Sequence, residues 1–507
     1  MFARLLNFPL ILILAGVAAL MMVVPAIDAV MRGEAGVARA FFYSGILGLA
    51  MFLSIGLALS GRGSARRMSD TQNLAALLMA YILLPVYLAL PFYEGVQTTT
   101  FLNAYVEMVS SLTTTGATFF GAPGRLGDSL HLWRALVGWA GGLLIWISAS
   151  AVLAPMSLGG FDVTVRAEPG QDDAALGRFQ RASPMRRLGQ VTRTLVPVYT
   201  ALTLMLWILL MADGERAFVA AVHAMSTLAT SGISSVGGVQ NAASGIFGEV
   251  AIFAFLLFAL SRLTFSSDTA STVPQGLWRD PEFRIGMTIV CGVPLLLFLR
   301  HWVGALEVSE QTDIVTALRA LWAAVFTVLS FLSTAGFESA DWQAARDWSG
   351  LKTPGLILMG LAMVGGGVAT TAGGVKLLRV YALYLQGRRE VERLIHPSSV
   401  GRGSGPGRRI RRQGAYIAWI FFMLFAMTLT ALTAALALFG QDFEQALILA
   451  LSGLSTTGPL IHAAAEDPIR LMQLGTGAKL VYTAAMVLGR LETLALIALL
   501  NPAVWRD

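Results

Sequence analysis

Long and short apolar runs alternate along this chain, separated by polar and basic stretches. The long ones fall at Asn7 to Ala29, Phe41 to Leu59, Asn73 to Phe92, Leu132 to Met156, Val191 to Met211, Phe247 to Phe265, Phe283 to Val303, Gly355 to Leu385, Ala415 to Phe439 and Gly477 to Leu500. A helix needs about 20 residues to cross a hydrocarbon core of about 30 Å, so each predicts a membrane span. The short runs, Phe101 to Val109, Ala217 to Met225, Ala317 to Leu329 and Phe443 to Leu451, are mostly too short to cross. Each leads into the same pattern, Ser-x-Leu-x-Thr-x-Gly: Ser110 to Gly116, Ser226 to Gly232, Ser330 to Gly336 and Ser452 to Gly458. One such match is expected by chance about a few hundredths of a time in a chain of this length, so four make an internal repeat. A short helix followed by Thr-x-Gly predicts a re-entrant segment, with helix going in and extended backbone coming out.

Composition agrees and narrows the class. With 56% hydrophobic and 13% charged residues and a mean hydropathy of +0.68, the chain is a polytopic membrane protein and not a soluble globule. Its single cysteine, Cys291, excludes an internal disulfide, and the five histidines show no ligand spacing. No small-residue cleavage site follows the first span, so that span is expected to remain as an anchor. The net charge of +6 concentrates in loops: 61–70, 161–188 with Arg166, Arg178, Arg181, Arg186 and Arg187, and 387–413 with Arg408, Arg409, Arg411 and Arg412. Basic loops belong on the cytoplasmic side, which places both termini inside and all four motifs outside, among Glu94, Asp213, Glu215, Glu307, Glu310, Asp313, Glu338, Asp341 and Asp442. The charge therefore reads as topology and lipid contact, not as nucleic-acid binding. The expected organisation is all-α: two N-terminal helices (1–70), then four parallel membrane–pore-loop–membrane repeats at 71–160, 189–270, 280–386 and 414–507, around a central pore.

Non-helical backbone at membrane depth is tolerated only where it is buried in protein or lines a water-filled path. Glycine at Gly116, Gly232, Gly336 and Gly458 permits left-handed backbone and close approach, so carbonyls of Thr114, Thr115, Thr230, Ser231, Thr334, Ala335, Thr456 and Thr457 can replace a cation's hydration shell. The C-terminal ends of the four short helices add negative dipole charge at the same place. A second signal lies in the span Gly355 to Leu385. Gly365, Gly366, Gly367, Gly373 and Gly374 each cost a helix about 1 kcal/mol, so that helix is expected to break below the filter and form a gate. Lys376 and Arg490, ionisable residues in spans, are expected to face the interior, with Glu492 as the nearest acidic partner; Lys376 and Arg379 equally fit snorkelling to a cytoplasmic end. His223 and His462 read as structural.

These residues resemble the Trk/Ktr/HKT superfamily of potassium transporters, most of all the bacterial TrkH/TrkG branch with its two extra leading spans. Thr113-Thr-Thr-Gly-Ala-Thr118 is similar to that family's first filter, Gly489-Arg-Leu-Glu492 to its fourth-unit signature, and Gly365 to Lys376 to its intramembrane gating loop. The resemblance implies K⁺ uptake across a bacterial inner membrane, a homodimer, a cytosolic nucleotide-binding (RCK-type) regulatory subunit, and Arg490 as a positive barrier just inside the filter. K⁺ would be substrate, and no organic cofactor is expected in this chain. The chain departs from the family pattern at Ala369, where glycine is expected, and the four filters differ from one another at Ser231 and Ala335. A coupled symporter of K⁺ with Na⁺ or H⁺ is the alternative. An enzyme is not expected, because no nucleophile, base or metal-ligand set converges.

Overall fold

The computed structural model describes residues 9–60, 70–154, 184–261, 278, 280–305, 314–349, 354–396, 414–465 and 467–492. Among them there are helices and turns but no strand. Seven helices are long and apolar enough to cross a membrane: Leu10–Met31, Ala35–Leu59, Gln72–Val96, Asp128–Leu153, Arg187–Ala212, Pro281–Leu299 and Gly414–Leu438. They coincide with seven of the long apolar runs, as backbone satisfaction in lipid requires. The basic stretches 61–69, 161–183 and 397–413, with Arg166, Arg178, Arg181, Arg408, Arg409, Arg411 and Arg412, lie outside the described residues.

Three of the expected spans take a different form. Phe247 to Phe265 is described as far as residue 261, as a short helix, Gly245–Leu256, closed by a 3₁₀ turn at Leu257–Leu260. Gly477 to Leu500 is helical over Thr476–Leu491 and stops at Glu492, whose φ is +62°; its remainder is not described. Gly355 to Leu385 is two helices, Gly355–Val364 and Leu377–Ile395, joined by an irregular loop over 365–376.

The short helices that lead into the motifs are Phe101–Leu112, Ala217–Ala229, Ile314–Leu332 and Phe443–Leu454. Each packs against the long helix before it, and the helix after each motif packs against the next motif helix. Thus Asp128–Ser148 lies on Ala217–Ala229, Gly245–Leu256 on Ile314–Leu332, Gly355–Val364 on Phe443–Leu454, and Thr476–Leu491 returns to Phe101–Leu112. The packing order is cyclic. Its closure is polar as well as apolar: Lys479 donates to the Asn103 carboxamide oxygen at 2.9 Å and lies 5.3 Å from the Phe119 ring centre. Outside this ring, the leading helices keep large side chains such as Met31, Leu47 and Leu57 exposed, the surface a lipid bilayer covers.

Candidate functional site

The motif works as a helix terminator. In each copy the threonine takes a left-handed conformation, with φ of +53° at Thr114, +48° at Thr230, +60° at Thr334 and +53° at Thr456. That reverses the chain, so its own N–H reaches the carbonyl three residues back (Ser111, Thr227, Phe331, Gly453). The next N–H returns to the carbonyl of the motif serine: Thr115 to Ser110 at 2.8 Å, Ser231 to Ser226, Ala335 to Ser330 and Thr457 to Ser452, each at 2.9 Å. This is the Schellman arrangement, which glycine usually serves. A β-branched residue there costs about 1–3 kcal/mol. The same cost at the same position in four copies marks the conformation as needed.

The four motif loops meet backbone to backbone. A Cβ on Gly116, already at φ +74°, would stand 1.7 Å from the Ser231 carbonyl oxygen. The fourth loop is built differently. Gly116, Gly232 and Gly336 have positive φ, whereas Gly458 does not. Its N–H donates to the Thr115 carbonyl of the neighbouring first loop at 2.6 Å, and a Cβ there would lie 2.2 Å from the Ala117 nitrogen. Glycine is therefore required at position 458 for proximity and not for a left-handed turn. The Pro459 ring that follows wedges against both Gly232 and Gly336. A cavity of about 300 Å³ opens over the loops, lined by all four glycines and by Glu338, Arg346, Arg134, His131 and His462.

The motif hydroxyls divide into two groups. Thr114 and Thr456 are buried, and their side-chain oxygens have no hydrogen-bond partner among the described residues. Thr230 and Thr334 instead engage the loop 365–376: Thr230 donates to the Thr371 hydroxyl at 3.1 Å, and the Gly373 N–H donates to the Thr334 hydroxyl at 2.8 Å. Thr371 also donates to the Leu228 carbonyl. The loop thus sits directly against the inner ends of the motif loops. Its ends hold themselves, Val375 N–H to Met363, Lys376 N–H to Val364 and Leu377 N–H to Gly366. Its middle is held by other elements: Gly367 N–H donates to Ala259, Val368 N–H to the Glu282 carboxylate, and the Thr371 carbonyl accepts from Arg490 Nη1 at 2.7 Å. Ala369, where the family resemblance expects glycine, has φ +54° and keeps the left-handed conformation with a side chain present.

The charges around this loop pair differently from the sequence expectation. Glu492 goes to neither Lys376 nor Arg490. It forms an ion pair with Arg379 at 2.7 Å, and that guanidinium lies over the Phe421 ring, fully buried. Snorkelling therefore does not describe Arg379 or Lys376; Lys376 is buried and donates to the Ala372 carbonyl. Arg490 is buried beside the Tyr81 hydroxyl, and its Nη1 makes the bond to Thr371. Sequence reasoning missed two buried acids behind the motif loops, Glu107 and Glu249. An acidic residue inside an apolar run was the available signal for both. His223, read as structural, binds the Ser234 hydroxyl at 2.8 Å.

Comparison with known proteins places this geometry. The family model of TrkH, described as a cation transport protein, matches residues 67–503. The chain belongs to the TrkH family. It is 30% identical over 427 residues to the Trk system potassium uptake protein TrkH of Salmonella typhimurium, covering 83% of each chain. It is 31% identical over 422 residues to the TrkH of Halomonas elongata, covering 80% of this chain and 79% of that protein. The crystal structure of the potassium transporter TrkH from Vibrio parahaemolyticus superposes with a TM-score of 0.79 at 25% identity, covering 100% of both chains. TrkH family members named in this way are transporters, not enzymes, and this chain is a member of that class of membrane protein.

Proposed function

We propose that this TrkH-family chain takes up K⁺ across a bacterial inner membrane through a channel-like path, with the four motif loops as filter and the loop 365–376 as gate. The observation that carries the reading is the meeting of four left-handed threonine loops, backbone to backbone, with a glycine-rich loop hydrogen-bonded beneath them. Carbonyls at Thr114, Thr115, Thr230, Ser231, Thr334, Ala335, Thr456 and Thr457 would replace water around the ion, and the unpartnered hydroxyls of Thr114 and Thr456 support a polar path through the same place. Gly365, Gly366, Gly367, Gly373 and Gly374 give the gate its irregular backbone. Lys376 and Arg490 put positive charge on the inner side, with Glu492 holding Arg379 at the gate's edge. The cyclic packing supports four units at 71–160, 189–270, 280–386 and 414–507 after two leading helices. Family membership supports a homodimer on a cytosolic nucleotide-binding regulator, and the basic loops support cytoplasmic termini.

The experiment is K⁺ uptake, and separately Na⁺ uptake, into proteoliposomes holding the purified chain, compared with Gly116→Asp. K⁺ flux that Na⁺ does not match, that voltage alone reverses, and that the variant loses is the expected result. Flux that persists in the variant would remove the filter assignment. Flux that needs a Na⁺ or H⁺ gradient would replace the channel with a symporter.

A further inference from the structure

The stretch just beyond each motif glycine must be held if the loop is to keep its strained shape. The residue nine positions ahead of that glycine is Glu107, His223, Thr327 and Leu449 in the four copies. In the first copy the Glu107 carboxylate accepts the Phe119 N–H at 2.9 Å, three residues past Gly116, and its other oxygen pairs with Arg134 Nε at 2.6 Å. In the third copy Thr327 reaches the equivalent Ser339 N–H only at 3.4 Å, which is long for a hydrogen bond. There a carboxylate arrives from the neighbouring element instead. Glu249, on Gly245–Leu256, accepts from Ser339 Oγ at 2.9 Å, from the Ala340 N–H at 2.7 Å and from Trp322 Nε1 at 2.9 Å. Both acids are essentially without solvent exposure, 0% for Glu107 and 1% for Glu249. In the cyclic packing order, the first and third loops are opposite each other.

We infer that Glu107 and Glu249 are positioning residues for ion selection, two buried carboxylates that brace opposite filter loops from behind. This rests on the filter reading above. The two differ in charge balance. Glu107 is neutralised by Arg134, whereas three neutral groups donate to Glu249, so Glu249 brings its negative charge to bear on the filter across a poorly screened interior. Neither acid touches the ion. Each fixes where the backbone of its loop runs, and with it the spacing of the carbonyls. A buried carboxylate that accepts backbone N–H groups is costly to leave half satisfied, so the brace is stiff.

The test is Glu249→Gln and Glu107→Gln in the full chain in proteoliposomes, reading the K⁺/Na⁺ flux ratio and the K⁺ concentration giving half-maximal flux, beside the thermal transition of the folded protein. We expect Glu249→Gln to lower the flux ratio about fivefold to tenfold, the size of the difference between a charged and a neutral hydrogen bond, and to raise the half-maximal K⁺ concentration. Glu107→Gln lowers the ratio less. Folded variants with both quantities unchanged would overturn the inference, because a purely structural role moves only the thermal transition. Should the glutamine variants fail to fold, Ser339→Ala decides: it removes one donor, keeps the Glu249 charge, and is expected to lower the ratio about twofold, while an unchanged ratio overturns the inference. Gly116→Asp separates the two levels. If that variant conducts normally, the filter reading is lost; if it is dead while the acids' variants behave as the parent, only the brace is lost.

Discussion

Two kinds of irregular stretch meet inside this protein, the four motif loops and the loop 365–376, and they are held in different ways. The turn that opens each motif loop is set by its own helix: the left-handed threonine and the residue after it send their N–H groups back to carbonyls of the preceding turn. The middle of the loop 365–376 is determined by its neighbours, Ala259, Glu282, Thr334, Leu228 and Arg490, each from another part of the chain. A stretch that carries its own constraints keeps its shape when surrounding helices shift. A stretch held by contacts from elsewhere is released when one of those elements moves, which suits the proposed roles of gate for the loop 365–376 and filter for the motif loops. The strain is also distributed accordingly. The motif loops place a residue in left-handed backbone four times by the same local device, whereas in the loop 365–376 the left-handed Ala369 depends on packing from other elements.

The comparison is sharpest at Arg490. Its hydrogen bond to the Thr371 carbonyl is charge-assisted and buried, about 1.5–3 kcal/mol of hold on the loop 365–376. Arg490→Gln is therefore expected to raise K⁺ flux without regulator by about tenfold or more, with the K⁺/Na⁺ ratio kept, as measured in proteoliposomes. A lost ratio with unchanged flux would mean that Arg490 serves the filter and not the gate. The motif side calls for the reverse experiment. Thr114→Gly relieves left-handed strain and is expected to stabilise the fold by about 1 kcal/mol in a thermal transition, while lowering the K⁺/Na⁺ ratio because a stiff residue becomes a free one. A destabilised Thr114→Gly protein would show that the loop is held by tertiary contact after all.

How far the sequence foretells this follows the same division. Apolar run length is a local property, and it marks the seven spanning helices. The motif is local too, since serine, threonine and glycine at fixed offsets are the parts of one helix terminator. The break at Gly365 is legible because clustered glycines destabilise a helix wherever they stand. What escapes is whatever depends on distant partners. Glu492 pairs with Arg379, 113 residues away, and Glu249 with Ser339, 90 residues away; no periodicity encodes either. The fourth loop's difference was half visible. Pro459 can be seen in the sequence, but not that its ring wedges between Gly232 and Gly336 or that Gly458 donates to Thr115.

The smallest expected effect lies in the cavity over the motif loops. Glu338, two residues beyond Gly336, lines the cavity over the loops, and burial pushes its carboxyl above the usual carboxylate range against an opposing pull from Arg346. As external pH falls, Glu338 takes up a proton earlier than an exposed glutamate does, and the cavity loses a negative charge. His462 in the same cavity is held below the usual histidine range by burial, and Glu338→Gln separates the carboxylate step from those of His462 and of His131, which also lines the cavity. K⁺ uptake is expected to drop by about twofold through that window, the scale of one partly screened charge acting on cation concentration. The stability sign runs the other way. A carboxyl whose folded pKa is raised binds its proton more readily in the folded state, so lowering pH through the window stabilises the protein through this group. Falling flux with a steady or rising thermal transition thus distinguishes Glu338 from acid unfolding. Glu338→Gln should show the reduced flux at neutral pH and no step, and the step should survive in Arg490→Gln, because the filter mouth and the gate are held independently. A step abolished in Arg490→Gln would join the two regions into one coupled device.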